Sequence, residues 1–83
     1  MEKSIHTREH AAFLALLLEV RQESGMTQIE LAKKLKLTQS LYSKMERGEC
    51  RLDIIQLRRI CQAIGLSFTE FAERLETRLS KRK

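Results

Sequence analysis

Proline is absent from this 83-residue chain, runs of β-branched residues are missing, and glycine occurs only three times. With Leu, Glu, Lys, Arg, Gln and Ala dominant, this excludes a strand-and-turn architecture and leaves an all-α one. Cysteine is nearly as scarce: Cys50 and Cys61 stand eleven apart with no companion ligands at zinc-site spacing, which excludes a disulfide framework and a zinc module. Cys61 falls on the apolar side of a helix and reads as a small core residue, while Cys50 falls in a loop. No long apolar run exists. Ala11 to Leu18 is bounded by Arg8 and Glu19, far short of the ~20 residues a membrane span needs, and it lacks a small-residue cleavage site. A cytoplasmic chain is expected. Catalytic arrangements are missing too, with no glycine-rich phosphate loop, no Ser/His/Asp or Cys/His set and no metal set. His6 and His10 are one helical turn apart, but nothing beside them completes a ligand sphere. No enzyme, cofactor or metal is expected.

What remains is charge and helix punctuation. The length leaves room for one small domain, residues 1–83, with residues 1 to 6 and 80 to 83 expected to be disordered. Formal charge is +5, which favours polyanionic partners, and its distribution says more than its sum. Lys33, Lys34, Lys36, Lys44, Arg47 and Arg51 face only Glu46 and Glu49 between positions 33 and 51.

Helix starts recur along the chain. Thr27 with Glu30, Asp53 with Gln56, and Ser67 with Glu70 have the spacing of reciprocal caps, and Thr38 caps without an acidic partner. Apolar pairs such as Met26/Leu31, Leu52/Leu57 and Leu66/Phe71 add hydrophobic staples. Each glycine stands just past a helix end. Five helices follow: about 7–24, from 28, from 39, from 54 to 64, and from 68 to about 79. Inward faces are assigned to Phe13, Leu16, Leu17 and Val20, then Leu31, Ala32 and Leu35, then Leu41, Tyr42 and Met45, then Ile54, Leu57, Ile60, Cys61 and Ile64, and last Phe68, Phe71, Ala72, Leu75 and Leu79. Leu14 and Leu18 make a second stripe on the first helix, either a wide core contact or a partner surface. Leu75 and Leu79 have the same two readings, packing on the first helix or subunit contact.

The connection between the second and third helices is so short that the two must cross sharply. On the third, Gln39, Ser40, Ser43, Lys44 and Arg47 form a stripe of amides, hydroxyls and cations without a carboxylate. These groups suit base edges in a major groove and the flanking phosphates. They also suit an ordinary solvated face.

The stretch Gly25-Met26-Thr27-Gln28, Glu30-Leu31-Ala32, Leu35, Leu37-Thr38, Tyr42-Ser43 and Met45-Glu46-Arg47-Gly48 resembles the Cro/Xre-type helix-turn-helix family of phage-repressor-like DNA-binding domains. Leu57, Ile60 and Ala63-Ile64-Gly65 extend the likeness, which covers about residues 10 to 72. The resemblance implies a lambda-repressor-like five-helix domain, usually a dimer, whose third helix enters the major groove of double-stranded DNA. By position it implies that Gln39, Ser40 and Lys44 face bases and that Gln28, Ser43 and Arg47 hold phosphates. Lys33 and Lys36 join them as candidate phosphate contacts. Two positions depart from the family pattern. Lys36 stands where the turn usually has Gly, so a side-chain-bearing residue must take a left-handed conformation at a cost of roughly 1 kcal/mol. No Pro stands near Leu52.

The function expected is a stand-alone transcriptional regulator that binds a near-palindromic operator as a homodimer and blocks or recruits RNA polymerase. Two alternatives stand beside it: an antitoxin-type module that binds a toxin and DNA secondarily, and a restriction–modification controller protein.

Overall fold

Side-chain caps set where the helices begin. In the computed structural model, which describes residues 7–80, the helices are α1 (Arg8–Ser24), α2 (Gln28–Leu35), α3 (Gln39–Arg47), α4 (Ile54–Ile64) and α5 (Phe68–Ser80). Thr7 Oγ1 accepts from the His10 N–H at 3.0 Å, and Thr38 Oγ1 does the same for Leu41 at 3.0 Å. Thr27 and Glu30 close a reciprocal box at 3.1 and 2.9 Å, as do Asp53 and Gln56 at 2.8 and 3.3 Å. At Ser67 the hydroxyl accepts from the Glu70 N–H at 2.9 Å. Each bond satisfies a backbone donor that a helix start would otherwise leave open. Helix α5 reaches Ser80, one residue into the stretch expected to be disordered. The expected disorder of residues 1 to 6, His6 of the histidine pair, and the basic tail Lys81-Arg82-Lys83 lie outside the described residues.

The core draws on all five helices: Leu16, Leu17 and Val20 of α1, Leu31 and Ala32 of α2, Tyr42 and Met45 of α3, Ile60 and Cys61 of α4, and Phe71 of α5. Helix α1 packs on α3, α4 and α5, while α2 packs on α3 and α4. Phe13 meets Phe71 edge to face, with ring centroids 6.0 Å apart, which seats α5 on α1. An ionic strap lies over that contact: Arg74 reaches Glu19 at 3.1 Å and Glu23 at 3.0 Å, and Arg78 reaches Glu19 at 2.7 Å. These pairs are half-exposed, so solvent screens them and they fix register more than they stabilise. The Arg78 guanidinium, with Arg74 behind it, holds the Glu19 carboxyl below its ordinary range.

Three inward assignments fail. Ile54 is 64% exposed, because it lies in the first turn of α4 at the rim of an open groove instead of under a neighbouring helix. Leu41 is 36% exposed. The buried arc of α3 is centred on Tyr42, Met45 and Glu46, and at about 100° per residue Leu41 falls at its edge. Ala72 is exposed as well. Cys50 is half-buried, and burial of Cys61 pushes its thiol above the ordinary value.

The turn between α2 and α3 confirms the demand placed on Lys36. Its φ of 61° and ψ of 40° put it in the left-handed region, where its N–H donates to the carbonyls of Ala32 and Lys33 and ends α2. Among described residues it is the non-glycine with positive φ. Gly48 ends α3 at φ 82°, and here space matters as well as conformation. A Cβ at this position would sit 2.6 Å from Leu14 Cδ1, so Leu14 packs over the α3 terminus.

Candidate nucleic-acid interface

Helix α3 carries one acidic residue, Glu46, and buries it. Desolvation works against a charged carboxyl, yet four donors reach this one. Arg21 Nε donates to Oε2 at 2.6 Å and its second terminal nitrogen donates to Oε1 at 3.1 Å. Gln28 Nε2 donates to Oε1 at 2.7 Å, and the Tyr42 hydroxyl donates to Oε2 at 2.8 Å. Arg21 also donates to the Met26 carbonyl at 2.9 Å. Burial raises the Glu46 pKa, but the bonds from Arg21, Gln28 and Tyr42 outweigh it, and the carboxyl titrates below its ordinary value. Tyr42 is pushed well above the ordinary phenol, first by burial and then by its bond to Glu46. One carboxylate thus ties α1, the start of α2 and the middle of α3 into a single unit.

With Glu46 turned inward, the opposite arc of α3 carries no negative charge. Gln39, Ser40, Lys44 and Arg47 are exposed and Ser43 is half-buried, so the stripe read from spacing exists as one surface. Nine residues give a rod of about 13 Å. Lys33 and Lys36 are exposed on the neighbouring α2 end, whereas Lys34 is occupied, its Nζ donating to the Ala63 carbonyl at 3.2 Å.

Three of the residues expected at phosphates, Gln28, Ser43 and Arg47, are already engaged. Gln28 is half-buried with its amide nitrogen on Glu46, a bracing role that its position at the start of α2 did not disclose. Arg47 pairs with Glu49 through two bonds of 2.9 and 3.1 Å and also donates to Ser43 Oγ. That exposed pair keeps the Glu49 carboxyl below its ordinary value. Glu49 is the exposed acid closest in sequence to the stripe, and its two bonds occupy the Arg47 guanidinium.

Sequence reasoning missed the Arg21–Glu46 pair, although a signal for it was present. Glu46 sits between Tyr42 and Met45 on the apolar side of α3, and a carboxylate there requires a cation. Arg21, one helical turn after Leu17, is the one available on the buried side of α1. The dimer candidates are divided by the fold. Leu14 packs on Gly48, Leu75 and Leu79 are half-buried, and Leu18 is 39% exposed. Ile54 and Ile55, 64% and 57% exposed, are large apolar side chains in the first turn of α4; the sequence reading turned Ile54 inward and did not name Ile55.

Among the described residues no group of three His, Cys, Asp or Glu side chains is placed to hold a metal, and no helix is long and apolar enough to cross a membrane.

Comparison with known proteins places this geometry. A helix-turn-helix family model matches residues 17–71. An XRE-family like protein from Pseudomonas syringae pv. tomato str. DC3000 is 42% identical with a TM-score of 0.81, covering 89% of this chain and 90% of that one. A point mutant of the restriction–modification controller protein C.Esp1396I is 29% identical with a TM-score of 0.80, over 88% of this chain and 97% of that one. The clp gene regulator ClgR from C. glutamicum is 25% identical with a TM-score of 0.73, over 90% and 96%. A search of curated proteins returns no match. The chain therefore belongs to the XRE/Cro-type helix-turn-helix family of DNA-binding transcriptional regulators, which are not enzymes.

Proposed function

We propose that the protein is a sequence-specific regulator that binds a near-palindromic site as a homodimer, with Gln39, Ser40 and Lys44 of α3 reading base edges. Ser43, Arg47, Lys33 and Lys36 hold the flanking phosphates, together with the amide N–H of Gln28 that Glu46 leaves free. The observation that carries this reading is the disposal of charge on α3: its single carboxylate is buried under four hydrogen bonds, and the outer arc keeps only amides, hydroxyls and cations. Gln pairs bidentately with adenine and Lys with guanine, while hydroxyls accept or donate to either.

One short helix makes too few base contacts for a useful specificity ratio. Two copies related by a two-fold axis double them and set the reading helices about one DNA turn apart, ~34 Å. The surface that best suits such a pairing is the groove of about 340 Å³ beside Phe13, Leu57, Phe68 and Leu75, because exposed Ile54 stands at its rim. Each copy thus carries both a knob and a recess, which is what a self-complementary contact requires. The similarity to C.Esp1396I over nearly the full length of both chains favours a controller-type role as the second reading. An antitoxin role has no comparable support.

Selection of bound sites from random DNA tests the proposal. A near-palindrome should emerge, and Gln39→Ala should relax one or two positions per half-site at ~1–3 kcal/mol. Lys33→Ala should weaken all sequences alike and reduce the salt slope by about one. Identical behaviour of the two variants on selected and scrambled sites would refute the assignment of readers.

A further inference from the structure

Leu41 is the large apolar side chain that α3 leaves at its surface, 36% exposed beside Tyr42 and Met45 at 0% and 1%. A single exposed leucine ordinarily needs no explanation. This one is distinguished by its neighbours. Ser40 precedes it, Lys44 lies one turn on, and both are exposed members of the proposed reading stripe. It is also the third residue of α3, in the N-terminal half of a reading helix, which approaches base edges most closely.

The floor of a major groove is polar except for one group, the C5-methyl of thymine. An aliphatic side chain carried into that groove beside a hydroxyl and an ammonium has one kind of partner there that matches it. We propose that Leu41 reads a thymine methyl, adding an apolar specificity determinant to the hydrogen-bonding readers. This deepens the reading of α3 as the DNA-contacting helix and rests on it. Gln39 and Lys44 discriminate by donors and acceptors, so they distinguish adenine and guanine. Leu41 distinguishes thymine from cytosine by a methyl group that no hydrogen bond senses.

The test removes that methyl from the DNA and leaves the protein intact. Each thymine of the selected site is replaced in turn by uracil, which keeps base pairing and lacks only the C5-methyl, and binding is measured for the wild type and for Leu41→Ala. Burial of one methyl is worth ~0.8 kcal/mol, which is about fourfold in affinity. The wild type should lose about fourfold at one thymine of each half-site. Leu41→Ala should bind the unmodified site more weakly and lose nothing further at that thymine, with any other uracil effects unchanged. Because Leu41 lies at the edge of the core, the folded state of the variant is checked by its helical circular dichroism. A wild type indifferent to uracil at every thymine overturns the proposal without any reference to the variant. A methyl dependence that persists in Leu41→Ala overturns it too, assigning the contact to another residue. Failure of the wild type to select any site overturns the DNA-reading role of α3 itself, a separate and recognisable outcome.

Discussion

Replacing Glu46 by Gln keeps the shape of the side chain and removes its charge, which isolates what the buried carboxylate does. Four donors converge on two oxygens: Arg21 and Tyr42 on Oε2, Arg21 and Gln28 on Oε1. An amide offers one acceptor oxygen and turns its NH₂ toward the other two donors. The Tyr42 hydroxyl can rotate to accept from that NH₂, but the Arg21 N–H groups cannot. The Arg21 charge, 11% exposed, is left without its counter-ion. Breaking a buried pair from one side costs ~3–5 kcal/mol. A chain of this size has about 4–12 kcal/mol of stability in total. At ~4–8 °C per kcal/mol, thermal unfolding followed by circular dichroism should show Tm falling by ~12 °C or more. Acid supplies a second readout. Because bonding holds the native Glu46 pKa below its ordinary value, its stabilisation is complete above the unfolded value of about 4.3 and is lost as pH falls through the lower native one. The gap between wild type and variant should therefore be widest near neutrality and shrink below about pH 4. Glu19 and Glu49 remain in both proteins and cancel. A variant within ~1 kcal/mol of the wild type at pH 7, or a gap that does not narrow in acid, would refute the account of this network.

Lys36→Gly relieves a left-handed residue and removes a cation, so denaturant unfolding should show ~1 kcal/mol of added stability while the salt slope of DNA binding falls by about one. Unchanged salt dependence would take Lys36 out of the phosphate contacts and leave the strain argument standing. Glu49→Gln frees Arg47 from its exposed pair, and titration at several salt concentrations should show tighter binding to matched and scrambled duplexes alike, by severalfold at low salt. If only matched sites gain, Arg47 reads a base and does not hold phosphate.

Most of the fold was legible because it is written locally. Thr27, Thr38, Asp53 and Ser67 announce helix starts through bonds that span three residues, and the short link through Lys36 dictates the crossing of α2 and α3. The outer stripe of α3 was legible for the same reason, since helical spacing alone places Gln39, Ser40, Lys44 and Arg47 together. What escaped depends on contacts between distant positions. Arg21 and Glu46 are 25 residues apart, and Gln28 and Glu46 are 18 apart. Their side chains find each other only after α1, α2 and α3 have packed. Periodicity assigned Ile54 and Leu41 to buried faces, correctly by angle for Ile54 and nearly so for Leu41. Periodicity reports direction about a helix axis and says nothing about whether a neighbour extends far enough to cover the end of that helix. The Arg47–Glu49 pair lies within two residues and was readable in principle, but the charge excess around it drew attention to the cations and away from the acid beside them.

The central claim is that the outer arc of α3 is what meets the duplex. Titrating isotope-labelled protein with its selected duplex, and following each backbone and side-chain amide by nuclear magnetic resonance, tests this most directly. The largest shifts should fall on residues 39–44, including the Gln39 side-chain amide, with smaller ones at Lys33 and Lys36 and none along the Glu19–Arg74–Arg78 strap. Shifts concentrated on that strap, with α3 silent, would contradict the claim.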